Sequence, residues 1–237
     1  MLSLPKSILD LPPQVTRFAP SPTGRLHLGH AYSALFVQQC AHQTGGTYLL
    51  RIEDTDHTRC RREFYHAIHD DLAFLGLIPP RETPTQSTRM PAYQAALTQL
   101  QDRGLLYPCF CTRKDIARSV TAPHGPDGNF YPGTCRHLSE DERQARMAAV
   151  PYALRLNTRK AADMVGALEF DELAYRPGTY QVDYEAIDDV VLARKDIGTS
   201  YNLAVVVDDA ADGITLVTRG QDIFEATGLH RLLQALL

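Results

Sequence analysis

The chain has 237 residues, of which 44% are hydrophobic and 22% are charged. These values are ordinary for a globular protein and exclude the disordered, fibrous and coiled-coil classes. The formal net charge of −4 excludes a protein that coats polyanions with its whole surface, so any contact with nucleic acid would be local. No apolar run approaches the roughly 18 residues of a membrane span, and we find no secretory signal. We therefore expect a cytoplasmic protein without a membrane partner.

Strand and helix patterns alternate in the first part of the chain. Apolar patterning predicts strands at residues 15–19 and 48–52, and helical spacing predicts helices at 28–42, 58–75 and 90–103. This order predicts a parallel sheet with crossover helices. Residues 106–142 hold three of the five cysteines and an irregular Gly/Pro-rich stretch at 122–133, which is typical of an insertion.

Strand patterns return in the last third of the chain. We predict strands at residues 152–156, 190–193, 203–207 and 214–218, followed by a helix at 226–237. The simplest assembly is an α/β fold in three parts. These parts are a first half of the main domain at 15–105, an insertion at 106–142 and a second half at 150–237.

The stretch Arg-Phe-Ala-Pro-Ser-Pro-Thr-Gly-Arg-Leu-His-Leu-Gly-His at residues 17–30 predicts a phosphate site. His27 and His30 lie three residues apart at the start of a predicted helix, where free backbone N–H groups already favour an anion. Gly29 between them leaves room for a flat ring such as adenine. Two histidines at this spacing are also common as plain surface residues, but the Pro-Ser-Pro-Thr-Gly segment favours the phosphate site.

These residues resemble the first signature of class I aminoacyl-tRNA synthetases in its glutamate-specific form, with residues 27–30 as the HIGH tetrad. Residues 51–56, Arg-Ile-Glu-Asp-Thr-Asp, are similar to the acidic segment that follows the second strand of the same enzymes. The resemblance runs from about residue 15 to the end of the chain. It implies a Rossmann-like parallel-sheet catalytic domain with ATP and Mg²⁺, in which His27, Gly29 and His30 are catalytic.

The same resemblance implies a glutamate site. Glutamate has two carboxylates and one ammonium, so arginine forks and one acidic group are needed, and Arg17, Arg219 and Glu53 suit these roles. We expect Arg219 and Tyr201 at strand ends, and the pairing of each arginine with a carboxylate stays open. Arg51, Asp54, Asp56 and Arg59 are expected to form an ion-paired loop that shapes the pocket. The resemblance places glutamate on Arg17, Phe18, Ala19, Pro20, Ser21, Glu53, Tyr201 and Arg219.

Three cysteines of the insertion, Cys109, Cys111 and Cys135, predict a structural zinc site. By spacing, the fourth ligand is Tyr131, His137 or His124, and ligand chemistry favours His137. The short glutamyl-queuosine branch of the family, however, carries Cys-x-Cys followed by Tyr-x-x-x-Cys, so the resemblance puts Tyr131 first and His137 second. The alternative is three reduced thiols without metal. We expect Cys40 and Cys60 to be packing residues.

The length and the first helix favour this short branch. A chain of 237 residues leaves no room for an anticodon-reading helical domain, and Tyr32 and Ser33 resemble the short branch. The resemblance implies that a monomer activates L-glutamate with ATP without tRNA. It then transfers the glutamyl group to queuosine in the anticodon of tRNA-Asp. Arg113, Arg118 and Arg136 of the insertion are the first candidates for a tRNA-binding surface.

One departure from the family concerns its second signature, a lysine loop resembling KMSKS. The last lysine of the chain is Lys195, so the loop is missing, and we expect the gene product to continue past residue 237. Three other interpretations stay open at this point. The chain could be a fragment of a glutamyl-tRNA synthetase, a small HxGH nucleotidyltransferase, or a non-catalytic tRNA-binding paralogue.

Overall fold

The computed structural model describes residues 4–112, 114–116 and 131–237. The chain packs as two compact units. Unit 1 contains the described residues up to Pro91, together with Asp171–Tyr180 and Val207–Thr227. Unit 2 contains the described residues of Ala92–Phe170, Gln181–Val206 and Gly228–Leu237. The predicted three-part division of the chain stays a prediction.

The parallel sheet predicted for the first part of the chain is present in unit 1. Its strands are β1 (Val15–Phe18), β2 (Thr47–Leu50) and β3 (Arg81–Glu82), hydrogen-bonded in that order. Both strand pairs are parallel, with Phe18 opposite Leu50 and Leu50 opposite Glu82. The strands therefore end at one common edge of the sheet, where open α/β sheets bind their ligands.

Helix α2 (Leu28–Gln43) makes the crossover from β1 to β2, and it follows a short helix α1 (Lys6–Leu9). Buried apolar residues of β1, β2, α2 and helix α3 (Arg62–Phe74) form one core cluster, including Phe18, Val37, Leu50 and Ile68. Burial of such side chains stabilises the unit by roughly 1.5–3 kcal/mol each. The core thus fixes the two segments that leave the sheet edge after Phe18 and Leu50.

Unit 2 contains an antiparallel sheet rather than a continuation of parallel strands. Its strands are β4 (Leu106–Cys109), β5 (Ala153–Leu156) and β8 (Val191–Ala193), and both pairings are antiparallel. The strands predicted at 152–156 and 190–193 are present, and β4 joins them although it lies in the predicted insertion. Helices α5 (Glu140–Ala149) and α6 (Thr158–Val165) flank β5 in the sequence.

Two predicted strands are wrong. Residues 203–207 belong to helix α7 (Tyr201–Asp212), because a short apolar run fits a buried helix as well as a strand. Residues 214–218 have no regular structure, although the Thr215 and Leu216 N–H groups donate to the Val15 carbonyl at 3.0 and 3.2 Å. Tyr201 and Arg219 are therefore not at strand ends.

The remaining elements complete the described chain. Helix α4 (Met90–Asp102) and helix α8 (Thr227–Leu236) agree with the predicted helices. Strands β6 (Glu169–Glu172) and β7 (Gly178–Gln181) form a two-stranded sheet that the sequence analysis missed. Short 3-10 helices span Gln86–Arg89, Thr134–His137 and Gln221–Ala226. Among the described residues, none of the helices has the length and apolar character that a membrane crossing requires.

Candidate functional site

The two predicted motifs leave the sheet of unit 1 at the same edge. The segment after β1 stays joined to the segment after β2, because the Arg51 N–H donates to the Phe18 carbonyl and the Glu53 N–H to the Pro20 carbonyl, both at 3.0 Å. The side chain of Phe18 is buried in the core, so only its backbone is available to a ligand. Ser21 is exposed at the surface of this loop.

His27 and His30 form a reciprocal cap at the N-terminus of α2. The Gly29 N–H donates to His27 Nδ1 at 3.1 Å, and the His27 N–H donates to His30 Nδ1 at 3.2 Å. The two rings stack with their centroids 3.8 Å apart. Because each Nδ1 accepts a hydrogen bond, the proton of each neutral ring sits on Nε2, and both Nε2–H groups are left as donors.

The environment of the histidine pair favours the neutral form of His30. Burial and the neighbouring His27 lower the pKa of His30 below its ordinary value of 6.5. Gly29 gives the His27 ring its space, because a Cβ there would lie 3.0 Å from His27 Cε1 and 3.1 Å from Nδ1 and would push the ring aside. The helix N-terminus therefore presents backbone N–H groups and two oriented imidazole donors, which is a site for an anion.

A buried ion-pair cluster holds Arg17. Asp209 of α7 accepts from Arg17 Nε at 2.9 Å and from Arg51 Nη1 at 2.6 Å. The Thr218 carbonyl accepts from Arg17 Nη1 at 2.6 Å. Arg51 is fully buried, with 0% of its side chain exposed. Burial by itself lowers the pKa of Arg51, but Asp209 and Glu53 outweigh it and hold that pKa above its ordinary value.

Glu53 lies in the same cluster, 3.3 Å from Arg51 Nη2. Burial raises the pKa of Glu53 above its ordinary value, although Arg51 and Arg17 act in the opposite direction. The ion pairs of the cluster join three guanidinium groups to four carboxylates, so full ionisation leaves one excess negative charge. An ammonium group would compensate it. The members are Arg17, Arg51, Arg89, Glu53, Asp208, Asp209 and Asp212.

The sequence analysis missed the carboxylates of α7. Asp208 and Asp212 accept from Arg89 at 3.1 and 2.5 Å, and Asp208 also accepts from Gln86 at 2.8 Å. The available signal was the spacing of Asp208 and Asp212, four residues apart, which places both on one helical face. The prediction of a strand at 203–207 hid that signal.

The acidic loop after β2 is predicted to be ion-paired, but of its residues Arg51 pairs with carboxylates, while Asp54 is held by uncharged donors; its role in shaping the pocket stays a prediction. Asp54 is buried and accepts from Tyr65 Oη at 2.6 Å, from Ser87 Oγ at 2.6 Å and from the Ser87 N–H at 2.7 Å. Asp56 accepts from Thr58 Oγ1 at 2.6 Å. These bonds fix the loop that carries Glu53.

Arg219 also lies in unit 1, but the residues that hold it differ from those that hold Arg17. Its Nη2 lies 2.7 Å from the carboxylate of Glu172, and its Nε donates to Thr227 Oγ1 at 2.9 Å. Its guanidinium also lies over the Phe224 ring, 5.0 Å from the centroid. Tyr201 belongs to unit 2, is 41% exposed, and its ring lies 6.0 Å from that of His230. The assignment of both residues to a glutamate site stays a prediction.

The cysteines of the predicted insertion lie together in unit 2. The sulfur atoms of Cys109, Cys111 and Cys135 are within 4.8 Å of one another. Tyr131 joins them, because its Oη lies 3.5 Å from Cys109 Sγ and 3.9 Å from Cys111 Sγ. Four donors thus converge on one point, as a closed tetrahedral site requires. We call these four residues the cysteine cluster.

The neighbouring residues favour Tyr131 over His137 as the fourth member. Among the described histidines, cysteines and acidic residues, no other set of three or more brings its ligand atoms together as these cysteines do, and His137 is not part of their set. His124, Arg113 and Arg118 lie outside the described residues. Burial raises the pKa of Cys111 to about 12. A bound cation would offset this effect, because metal-bound thiols are deprotonated.

Two consecutive carboxylates accept hydrogen bonds from residues in and beside the cysteine cluster. The Tyr131 N–H donates to Asp188 Oδ2 at 2.7 Å, and Tyr107 Oη donates to Asp189 Oδ2 at 2.6 Å. The guanidinium of Arg155 stacks on the Tyr131 ring, 3.8 Å from its centroid. The phenol ring is therefore fixed between a cation and the cysteines.

The comparisons with known proteins agree with this geometry. The chain matches the family of class I tRNA synthetases (E and Q), catalytic domain, over residues 14–237. It therefore belongs to the class I tRNA synthetases of the E and Q type, which are ligase enzymes with a catalytic domain built on a parallel sheet.

Within this family the chain is similar to glutamyl-Q tRNA(Asp) synthetases. It is 46% identical to the one from Rhodobacter capsulatus, over 94% of this chain and 82% of that protein. It is 42% identical to the one from Nocardia farcinica, over 93% of this chain and 67% of that protein.

A solved structure shows the same fold. The crystal structure of a glutamate tRNA ligase from Elizabethkingia meningosepticum in complex with its amino acid matches with a TM-score of 0.78 and 28% identity. The match covers 94% of this chain and 47% of that one. The chain therefore spans about half the length of this ligase.

Proposed function

We propose that the chain activates L-glutamate with ATP, without tRNA, and transfers the glutamyl group to queuosine in tRNA-Asp. The observation that carries the proposal is the pair of oriented Nε2–H donors of His27 and His30 at the N-terminus of α2. This histidine pair follows β1, and the segment that carries Glu53 follows β2, so both leave the sheet at the same edge. An anion site and a site of mixed charge on one edge suit a nucleotide and an amino acid.

The ATP end of the reaction uses the histidine pair. The glutamate α-carboxylate oxygen forms a bond to the α-phosphorus of ATP, and the bond from that phosphorus to the pyrophosphate oxygen breaks. Negative charge grows on the α-phosphoryl oxygens in the transition state. The Nε2–H donors and the helix N-terminus lie ready to stabilise that charge, and Mg²⁺ neutralises the phosphates when bound.

The glutamate end uses the buried ion-pair cluster. Arg17 is fixed by Asp209 and the Thr218 carbonyl, and its fork suits a carboxylate. Glu53 provides the acidic group for the ammonium. The family resemblance adds the backbone of Phe18, Ala19 and Pro20. In the second step a hydroxyl of queuosine attacks the carbonyl carbon of the glutamyl adenylate, loses its proton, and AMP leaves.

The cysteine cluster would hold a structural Zn²⁺. Its three sulfurs and one phenol oxygen fit the ligand number of a closed site, which leaves no position for substrate. When bound, the metal would supply folding free energy to this segment. Cys109, Cys111, Tyr131 and Cys135 would be its ligands.

The queuosine-specific reaction is supported by similarity to the glutamyl-Q tRNA(Asp) synthetases at 40–46% identity. Tyr131, which takes the fourth position of the cysteine cluster, also agrees with the pattern of that branch. A second candidate is charging of tRNA-Glu, since the chain is 39% identical to a glutamate–tRNA ligase from Coprothermobacter proteolyticus.

The test is ATP–pyrophosphate exchange with the intact gene product that carries this chain. We expect exchange that needs glutamate and proceeds without tRNA. Exchange that appears only with tRNA-Glu would favour the second candidate and contradict the proposal. No exchange under any condition would favour a non-catalytic tRNA-binding paralogue. His27→Asn, which keeps a polar side chain at the helix start, should lower the exchange rate about 10²-fold.

A further inference from the structure

A basic pocket of unit 2 lies outside the site described above. Its cavity volume is about 350 Å³. Three of its six lining side chains are permanent cations and one is an anion, in a chain whose net charge is −4. The lining of the pocket is therefore positively charged, whereas the chain as a whole is negatively charged. The lining residues are Arg136, His137, Asn157, Arg159, Lys160 and Asp163.

One buried carboxylate joins the two walls of the basic pocket. Asp189 is 5% exposed, and it accepts from the Arg136 guanidinium at 2.9 Å and from the Thr158 N–H at 3.0 Å. Arg136 comes from the 3-10 helix Thr134–His137, which also carries Cys135, and Thr158 begins α6. Because a buried hydrogen-bonded network resists rearrangement, Asp189 fixes the separation of the walls.

The cations of the basic pocket keep donors available for a ligand. In the part of the chain that the structure describes, the side chain of Arg159 makes no hydrogen bond or ion pair. Lys160 Nζ donates to the Gly104 carbonyl at 2.9 Å, which uses one of its three hydrogens. The Arg136 side chain is 32% exposed beside its contact with Asp189. Arginine forks with spare N–H groups match the oxygens of a phosphate group.

We propose that the basic pocket binds the phosphodiester backbone of the RNA substrate, with Arg136, Arg159 and Lys160 as the phosphate contacts. This inference rests on the proposed function, which supplies RNA as the acceptor. Phosphate contacts hold an RNA in register without reading its bases. The cysteine cluster places Arg136, since Cys135 precedes it in the same 3-10 helix, so the cluster has a role in forming the pocket.

The experiment measures the affinity of the intact gene product for tRNA-Asp by fluorescence anisotropy at several salt concentrations. Arg159→Glu should weaken binding about tenfold and lower the slope of log K against log salt by about 1. Lys160→Glu should act in the same direction. The matched control is Lys195→Glu, which reverses one exposed cation of unit 2 outside the pocket and should change the affinity less than twofold.

Three readouts keep the outcomes apart. Tm values for all variants close to that of the parent show that folding is intact. If Arg159→Glu and Lys160→Glu bind tRNA-Asp as the control does, the inference is overturned, and a Tm rise with inorganic phosphate would then identify a small-anion site instead. If they weaken RNA binding while the parent shows no glutamate-dependent exchange, the pocket assignment holds and the proposed activity fails.

Discussion

The carboxylate of Asp209 should carry more of the stability of unit 1 than any surface acid does. It accepts from Arg17 at 2.9 Å and from Arg51 at 2.6 Å, and the Arg51 side chain is fully buried. Asp209→Ala removes the one oxygen that accepts both hydrogen bonds and leaves two guanidinium groups with weaker partners. Arg17 keeps the Thr218 carbonyl, and Arg51 keeps three carboxylates at 3.3–3.9 Å.

The size of the effect follows from these contacts. Each hydrogen bond to a charged group contributes about 1.5–3 kcal/mol, and removing one partner of a buried ion pair costs about 3–5 kcal/mol. Because both arginines keep other partners, we expect the lower end, about 3 kcal/mol. In a chain of this size this corresponds to a fall in Tm of roughly 6–12 °C.

Differential scanning calorimetry and urea unfolding measure this change. The matched control is Asp196→Asn, because Asp196 also pairs with an arginine, Arg194, at 2.6 Å but is 54% exposed. Exposed pairs contribute about 0–1 kcal/mol. If Asp209→Ala lowers Tm no more than the control does, the buried cluster does not stabilise the fold and the reasoning is refuted. Asp209→Ala should also raise the KM for glutamate with little change in the KM for ATP.

Three further predictions concern the ATP end, acid stability and the cysteine cluster. Gly29→Ala should slow ATP–pyrophosphate exchange about tenfold by displacing the His27 ring, whereas Gly228→Ala, whose Cβ would make only an ordinary contact 3.4 Å from Val182 Cγ1, should not; equal rates would contradict the cap geometry. Burial raises the pKa of Glu172, but the N–H groups of residues 174 and 175 and a guanidinium hold it below its ordinary value of 4.5. Its stabilisation is therefore present above pH 4.5 and lost as pH falls through the folded pKa, so the Tm deficit of Glu172→Gln should shrink as the pH falls below 4.5; a deficit independent of pH would contradict this. Tyr131→Phe should lower Zn²⁺ affinity in chelator competition about 10–100-fold while His137→Ala does not, and the reverse order would make His137 the ligand.

Local patterns predicted the half of the fold that positions the motifs. Apolar alternation and the prolines after β1 identified the strands at residues 15–18 and 47–50 and the helix between them. These elements are defined by neighbours in sequence. The same patterns failed at α7, because Leu203–Val207 is an unbroken apolar run without a period that separates strand from helix.

The cysteine cluster was predictable because its members are close in sequence and chemically distinctive. Cys109 and Cys111 are separated by one residue, and the structure brings Tyr131 and Cys135 to them. The fourth member could not be chosen by chemistry alone, since histidine is the more common zinc ligand. The resemblance to the short branch chose Tyr131, whose Oη lies 3.5 Å from Cys109 Sγ, and its role as a ligand stays a prediction.

The buried ion pairs were not predictable from local patterns. Arg17 and Asp209 are 192 residues apart in the chain, and Arg136 and Asp189 are 53 apart. No local preference signals such a pairing, because it exists only after the chain has folded. Only the structure therefore identifies the partner that fixes Arg17 and the carboxylate that joins the walls of the basic pocket.

Transfer of glutamate to tRNA-Asp separates the proposed queuosine reaction from the charging of tRNA-Glu. Radiolabelled glutamate, ATP and the intact gene product are incubated with tRNA-Asp that contains queuosine, with tRNA-Asp that lacks it, and with tRNA-Glu. We expect radiolabelled glutamate to become acid-precipitable only with the queuosine-containing tRNA-Asp. Label on tRNA-Glu, or equal label on both forms of tRNA-Asp, would contradict it.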